Sequence, residues 1–196
     1  MIRHLAALAL VPATLLAQEP TDTTQALAQP RRGWTIGVTG YTGGTWQPSG
    51  VDAGLVRKVG ERPGRSVAMT MRVGSFTQDQ AVLVGRTRGF FAALLGQYRF
   101  PLVRLLELGT PERVTGAVRL MGLLETGVSV NFNSPLPQGN YHGLGAVMLG
   151  AGVGGDEGVD DSFGFFVGAT GLFGGGVSST HFTASLRYQS GFGRRR

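Results

Sequence analysis

Apolar and polar residues alternate along much of this chain, and no apolar run is long enough for a membrane-spanning helix. From Trp34 onward no stretch of about 18 apolar residues occurs. The alternation is clearest near the C-terminus, where one face of a strand would carry Phe182, Ala184, Leu186 and Tyr188. Because a two-residue period describes a β-strand and not a helix, the sequence predicts an all-β fold.

The composition agrees with strands and excludes several kinds of chemistry. Glycine accounts for 33 of the 196 residues, more than twice the usual share of about 7%, and glycine weakens helices. Charged residues make up 15% of the chain, below the roughly 25% of soluble domains. Cysteine is absent, which removes disulfides, thiolate metal sites and cysteine nucleophiles.

The chain starts with the pattern of an export signal. Residues 1–17 have a basic start and a short apolar run, which predicts a secretory signal peptide. Residues 18–33 are polar, rich in Thr, Gln and Pro and without periodicity, so they are expected to form a disordered linker. We therefore expect one folded domain over residues 34–193 and a basic tail over residues 194–196.

Alternation in this domain predicts an antiparallel up-and-down transmembrane β-barrel of about eight strands. Lipid offers backbone groups no hydrogen-bond partners, so a sheet that crosses a membrane must close on itself. Helix start and stop signals at Pro101 and Gly109 also predict a helical turn within a connection at 103–112. The predicted strands are residues 34–44, 66–76, 80–89, 90–102, 113–132, 141–154, 162–173 and 180–192.

An even number of strands places both chain ends on one side of the membrane. Bacterial barrels have long loops outside the cell and short turns in the periplasm. The connections 45–65 and 133–140 are therefore predicted outside, with 77–80 and 155–161 in the periplasm.

Several charged and amide side chains share the polar parity of these strands, and we expect them to form a hydrogen-bonded network inside the barrel. Eight strands enclose only enough space for side chains, so a wide pore is not expected. The alternatives for this network are a small anion site or a narrow conduit. Its predicted members are Arg72, Arg99, Arg119, Glu125, Arg187 and Gln189.

Four basic residues lie in the predicted first outer loop, namely Arg57, Lys58, Arg62 and Arg65. The guanidinium fork suits phosphate, so contact with lipopolysaccharide is one hypothesis for them. A solvated loop is the other.

In its leader, its two-residue repeats, the strand end Gln97–Phe100 and its last strand, the chain resembles small eight-stranded outer-membrane barrels of the OmpA and OmpX kind. The last strand looks like the C-terminal insertion signal of that class, carried here by Phe182, Leu186, Tyr188 and Phe192. The resemblance implies a monomer in the bacterial outer membrane with a structural or surface-interaction role. Its implied partners are membrane lipids, lipopolysaccharide and the barrel-insertion machinery.

Two other functions stay open. A lipid-modifying hydrolase similar to lipid A deacylases would use His181 and Ser185, with Glu125 on another strand. A secreted, soluble lipocalin-like barrel would share the leader and the alternation. We expect no enzyme activity and no nucleic-acid partner. No cofactor is expected, because the glycine-rich stretch 150–155 does not open a helix. No metal is expected, because few metal ligands are present.

Overall fold

The computed structural model describes residues 32–43, 46–60, 64–79, 86–110, 113–132, 141–154, 162–174 and 177–191. These residues form eight antiparallel strands in sequence order, and the first pairs with the last to close a barrel. No helix in these ranges is long and apolar enough to cross a membrane. The predicted up-and-down barrel is confirmed. Its strands are β1 (Arg32–Thr42), β2 (Trp46–Lys58), β3 (Ser66–Asp79), β4 (Arg86–Thr110), β5 (Arg113–Phe132), β6 (Tyr141–Gly154), β7 (Ser162–Gly174) and β8 (Val177–Gly191).

The register of the strands fixes the tilt of the barrel. A path that follows paired residues from Arg32 through each strand in turn returns to β1 at Thr42, ten residues further along. A stagger of this size in an eight-stranded barrel tilts the strands by roughly 35–45° from the axis. Because the stagger is an even number, inward and outward faces stay consistent around the ring.

Two strand assignments from the sequence are wrong, and they compensate in the count. Residues 46–58, predicted as part of an outer loop, form β2 and pair with both β1 and β3. The predicted strands 80–89 and 90–102 are replaced by the single strand β4, which continues through the predicted helical turn to Thr110. The helical turn fails because residues 101–110 pair with β5, through register shifts that absorb the irregular sequence.

The two ends of the barrel follow from the strand order. We call the end that holds Arg32 and Gly191 the terminal end and the other the distal end. The connections 59–65, 111–112 and 155–161 join strands at the terminal end, and 43–45, 80–85, 133–140 and 175–176 join them at the distal end. The predicted outer loop, residues 45–65, therefore joins β3 at the terminal end, beside the chain ends. The periplasmic turn predicted at 77–80 lies at the distal end instead.

The β4–β5 hairpin is longer than the barrel wall. Pairing between β3 and β4 stops at Arg99, and pairing between β5 and β6 starts at Ala117. The outer part of the hairpin therefore extends beyond the terminal end of the wall, with strand pairing only between β4 and β5. Its exposed side chains include Leu102, Val103, Leu105 and Leu106, as well as the ion pair of Arg104 and Glu107 at 3.2 Å.

Candidate functional site

A four-charge cluster occupies the interior of the barrel. Asp52, Arg72, Glu125 and Arg187 come from β2, β3, β5 and β8, and all four are buried. Each guanidinium contacts both carboxylates. Arg72 reaches Asp52 at 3.1 Å and Glu125 at 2.9 Å, and Arg187 reaches Asp52 at 2.6 Å and also contacts Glu125.

Neutral side chains add hydrogen bonds to the cluster. Gln97 donates to Glu125 at 3.0 Å and to Thr70 at 3.0 Å, and it accepts from Arg187 at 3.1 Å. Arg72 donates to the Tyr41 hydroxyl and lies 5.8 Å from the centre of that ring. Buried charges are tolerated when they are paired and hydrogen-bonded, and each charge of the cluster contacts both opposite charges.

The cluster links strands that are not neighbours in the barrel. Arg72 and Glu125 are separated by β4, and Asp52 and Arg187 are separated by β1. Removing one of the four charges leaves the opposite charges buried without full compensation. The cluster therefore acts as a cross-brace inside the barrel, with its two cations and two anions in balance.

All six residues predicted for the interior network are buried, but only three belong to the cluster. Arg72, Glu125 and Arg187 meet, whereas Arg99 and Gln189 line a separate small cavity. The remaining member, Arg119, faces inward on β5 and is also buried.

Sequence reasoning missed Asp52 as a member of the cluster. Glu125 is the one acid among the predicted network residues, and the structure adds Asp52 as a second buried acid. The signal was available, because Val51, Ala53 and Leu55 alternate with smaller or polar residues around Asp52. Assigning the whole segment to a loop concealed that two-residue period.

Two clusters of apolar side chains are also buried in the interior that the structure describes. One cluster lies toward the distal end and consists of Phe76, Phe91, Ala93, Leu95, Leu144 and Leu172. Another consists of Met121, Leu123, Ala146, Met148 and Phe166. Together with the charge cluster they pack the lumen with side chains, as is usual for barrels of this size.

The residues of the hydrolase hypothesis are not brought together. The Ser185 hydroxyl lies 3.0 Å from Thr39, and Glu125 is held by arginines of the four-charge cluster. His181 instead lies 2.8 Å from the Ser179 hydroxyl through Nε2, and its Nδ1 contacts the Gly43 carbonyl. A hydroxyl beside an imidazole that a carbonyl orients has part of the geometry of a nucleophile and base.

The basic segment predicted as an outer loop lies beside the chain ends. Arg57 and Lys58 belong to β2. The Val59 amide, just after β2, donates a hydrogen bond to the Arg65 carbonyl at 3.2 Å. Arg62 lies outside the described residues. The prediction that these basic residues lie in a loop at the opposite end from the chain ends is therefore wrong, because β2 carries the chain back to the terminal end.

The exterior of the barrel is apolar on every strand. In the described strands, the outward positions between the rims carry no charged side chain. Large apolar side chains at these positions are exposed, at least two on each strand. They are Trp34, Ile36, Val38, Val51, Leu55, Met69, Met71, Val73, Phe90, Leu94, Leu120, Leu124, Val128, Phe132, Tyr141, Val147, Leu149, Val153, Phe163, Phe165, Phe173, Phe182 and Leu186.

Outward aromatic residues form a ring near each end of the barrel. The ring at the terminal end contains Trp34, Tyr98, Phe100, Phe163 and Tyr188. The ring at the distal end contains Phe90, Phe132, Tyr141 and Phe173. Ten residues of β4 separate Phe90 from Phe100, which corresponds to about 25 Å along the axis at ~3.3 Å per residue and a tilt of roughly 40°.

The residues predicted for the insertion signal lie on the outer face of β8. Phe182 and Leu186 are exposed, and Tyr188 contacts Trp34 of β1 with ring centres 5.3 Å apart. Phe192 lies outside the described residues. The described residues of the predicted signal, Phe182, Leu186 and Tyr188, thus share the outer face of β8.

These features define the molecule as a closed eight-stranded β-barrel with an apolar exterior and a packed interior. No protein-family model matches the chain, and no curated protein matches it. Comparison with solved structures matches the chain to the N-terminal β-barrel domain of Pseudomonas aeruginosa OprF. It is 16% identical in sequence, the match covers 82% of this chain and 99% of that one, and the TM-score is 0.37.

Proposed function

We propose that this chain is an integral β-barrel protein of the bacterial outer membrane, with a sealed interior and a structural or surface-interaction role. The observation that carries the proposal is the exterior. A continuous band of uncharged, mostly apolar side chains encircles the barrel between two aromatic rings. Known outer-membrane barrels have such a band, about 25 Å tall and flanked by aromatic residues.

The soluble alternative requires the same exterior to contact water. Monomeric soluble proteins rarely expose contiguous apolar patches larger than a few hundred Å². A soluble barrel places its apolar side chains inside, whereas this barrel has a buried charge cluster inside and exposed apolar residues outside. The distribution of the two residue types therefore favours lipid as the surroundings of the barrel.

The proposal assigns partners by the chemistry of each surface. Lipid chains contact the apolar band, and the insertion machinery binds the last strand through Phe182, Leu186 and Tyr188. The chain ends lie in the periplasm, so the terminal end, with Arg57 and Lys58, is periplasmic. The distal end is then the surface that faces the exterior of the cell.

Cell fractionation with detergent extraction tests the location. We expect the chain in the outer-membrane fraction, released by detergent, with an unheated band that migrates differently from the heated one on electrophoresis. Recovery in a soluble periplasmic or extracellular fraction, with no shift on heating, would support the soluble barrel instead.

The packed interior predicts that the purified barrel forms no water-filled pore. In planar lipid bilayers we expect no stable conductance steps of the kind that porins give, because side chains fill the lumen on both sides of the charge cluster. The measurement is single-channel recording, with protein-free bilayers as the control. Regular, long-lived steps in every preparation of folded protein would contradict the sealed interior.

The hydrolase alternative is tested at His181. Replacing His181 with Ala removes the imidazole beside Ser179, and we expect assembly and the heat-dependent band shift to stay unchanged. Lipid products of cells that express each form are then compared by mass spectrometry. A lipid-cleaving activity present in the original chain and lost in His181→Ala would replace the structural role with an enzymatic one.

A further inference from the structure

A small cavity lies between the four-charge cluster and the terminal end of the barrel. Its volume is about 10 Å³, measured as the space that the centre of a water molecule can occupy. The lining includes two guanidinium groups and no carboxylate. Its polar side chains are Thr35, Ser66, Gln97, Arg99, Arg187 and Gln189.

Arg99 is a buried cation for which the described residues supply no carboxylate partner. It is only 7% exposed, it donates to the Ser162 hydroxyl at 3.0 Å, and it lies 5.6 Å from the centre of the Phe166 ring. Its Nε has no hydrogen-bond partner. The charged side chains that act on it most strongly are Arg187 and Arg119, which are both cations.

The other guanidinium of the cavity also has an unused donor. Both terminal nitrogens of Arg187 contact carboxylates of the four-charge cluster, but its Nε has no partner. Two buried Nε donors are therefore left without acceptors beside the same cavity. A buried donor without an acceptor costs about 1–3 kcal/mol, and more when the group is charged.

The backbone leaves room for the Arg99 guanidinium at this place. Gly152 of β6 and Gly164 of β7 both face it across the interior. A Cβ on Gly152 would lie 2.6 Å from Arg99 Nη2, and one on Gly164 would lie 3.6 Å from it. Because position 152 is glycine, the Arg99 guanidinium can occupy this place, where no described carboxylate contacts it.

We propose that Arg99 and Arg187 bind a small monoatomic anion of chloride's size in this cavity. A water molecule would satisfy the hydrogen bonds but would leave the charge of Arg99 uncompensated. Ser66 donates to Gln189 Oε1 at 3.4 Å, a long bond that is readily exchanged for one to an anion. The cavity holds about one water-sized sphere, so sulfate and phosphate are too large.

Chloride-35 NMR on the folded protein in a nonionic detergent tests the proposal. Bound chloride exchanges with free chloride and broadens its signal. We expect excess broadening over detergent alone that rises in proportion to protein concentration, falls as chloride concentration exceeds the dissociation constant, is removed by bromide, and persists in sulfate at matched ionic strength. Arg99→Gln should abolish this excess, while Arg88→Gln, the same change at an exposed position of the same strand, should retain it.

The folded state of each variant is checked by its unheated band on electrophoresis. Should Arg99→Gln not fold, Gln189→Leu keeps every charge and alters the same wall, and it is expected to weaken chloride binding several-fold. Absence of excess broadening in the original chain would overturn the proposal. Equal broadening in Arg99→Gln and Arg88→Gln, or displacement by sulfate as effective as by bromide, would also overturn it. None of these outcomes depends on the membrane location.

Discussion

Replacing Leu186 with Arg is expected to remove most of the folded, membrane-inserted protein. Leu186 lies on the outer face of β8, is 41% exposed and pairs with Val38 and Phe165, which are also on the apolar band. Arginine at the middle of a lipid-facing band costs about 2–4 kcal/mol. That is a large part of the stability of a small domain. The measurement is the fraction of detergent-extracted protein that gives the folded, unheated band.

The matched control is Ser178→Arg, on the same face of the same strand but at the distal aromatic ring, where Ser178 pairs with Phe173. An arginine there reaches water and lipid phosphates, so we expect assembly close to that of the original chain. Equal assembly of Leu186→Arg and the original chain would show that Leu186 does not face lipid.

Replacing Glu125 with Gln is expected to lower the free energy of unfolding by about 3–5 kcal/mol. Glutamine keeps the shape of the side chain but leaves Arg72 and Arg187 with Asp52 as the only carboxylate of the cluster. The reason is the uncompensated cation and not the loss of volume. Urea-induced unfolding of the barrel in lipid vesicles, followed by the loss of the folded band, measures the change.

Ser129→Ala provides the control for this substitution. Ser129 faces inward on the same strand, and its buried hydroxyl has no hydrogen-bond partner, so its removal should change stability little. The double variant of Glu125→Gln with Arg72→Met restores the charge balance, and we expect it to lose less stability than the sum of the two single changes. Equal stability of Glu125→Gln and Ser129→Ala would contradict the bracing role.

The side of the sheet on which each residue lies could be predicted from the sequence. A two-residue period fixes the two faces of a strand wherever its location is right. The sequence placed Arg72 and Arg187 inside, and the structure buries both. It placed Leu186 on the opposite face, where the structure exposes it.

The strand boundaries and the partners of the interior charges could not be predicted as well from the sequence. The segment Trp46–Lys58 contains one proline, two glycines and one alanine, and it ends in two basic residues. This local pattern favoured a loop. Its strand character comes from pairing with β1 and β3, which is a property of the closed barrel. For the same reason no local pattern indicated that Asp52 meets Arg187, which lies 135 residues away in the sequence.

Lipid is expected to contact every second side chain of the barrel wall. The absence of cysteine allows single cysteines to be introduced for spin labels at positions 183–186 of β8 in vesicles. We predict that labels at 184 and 186 collide with oxygen dissolved in lipid and not with a water-soluble nickel complex. Labels at 183 and 185 should be shielded from both reagents. Access of the nickel complex to 184 and 186 equal to that of a label in water would contradict the account.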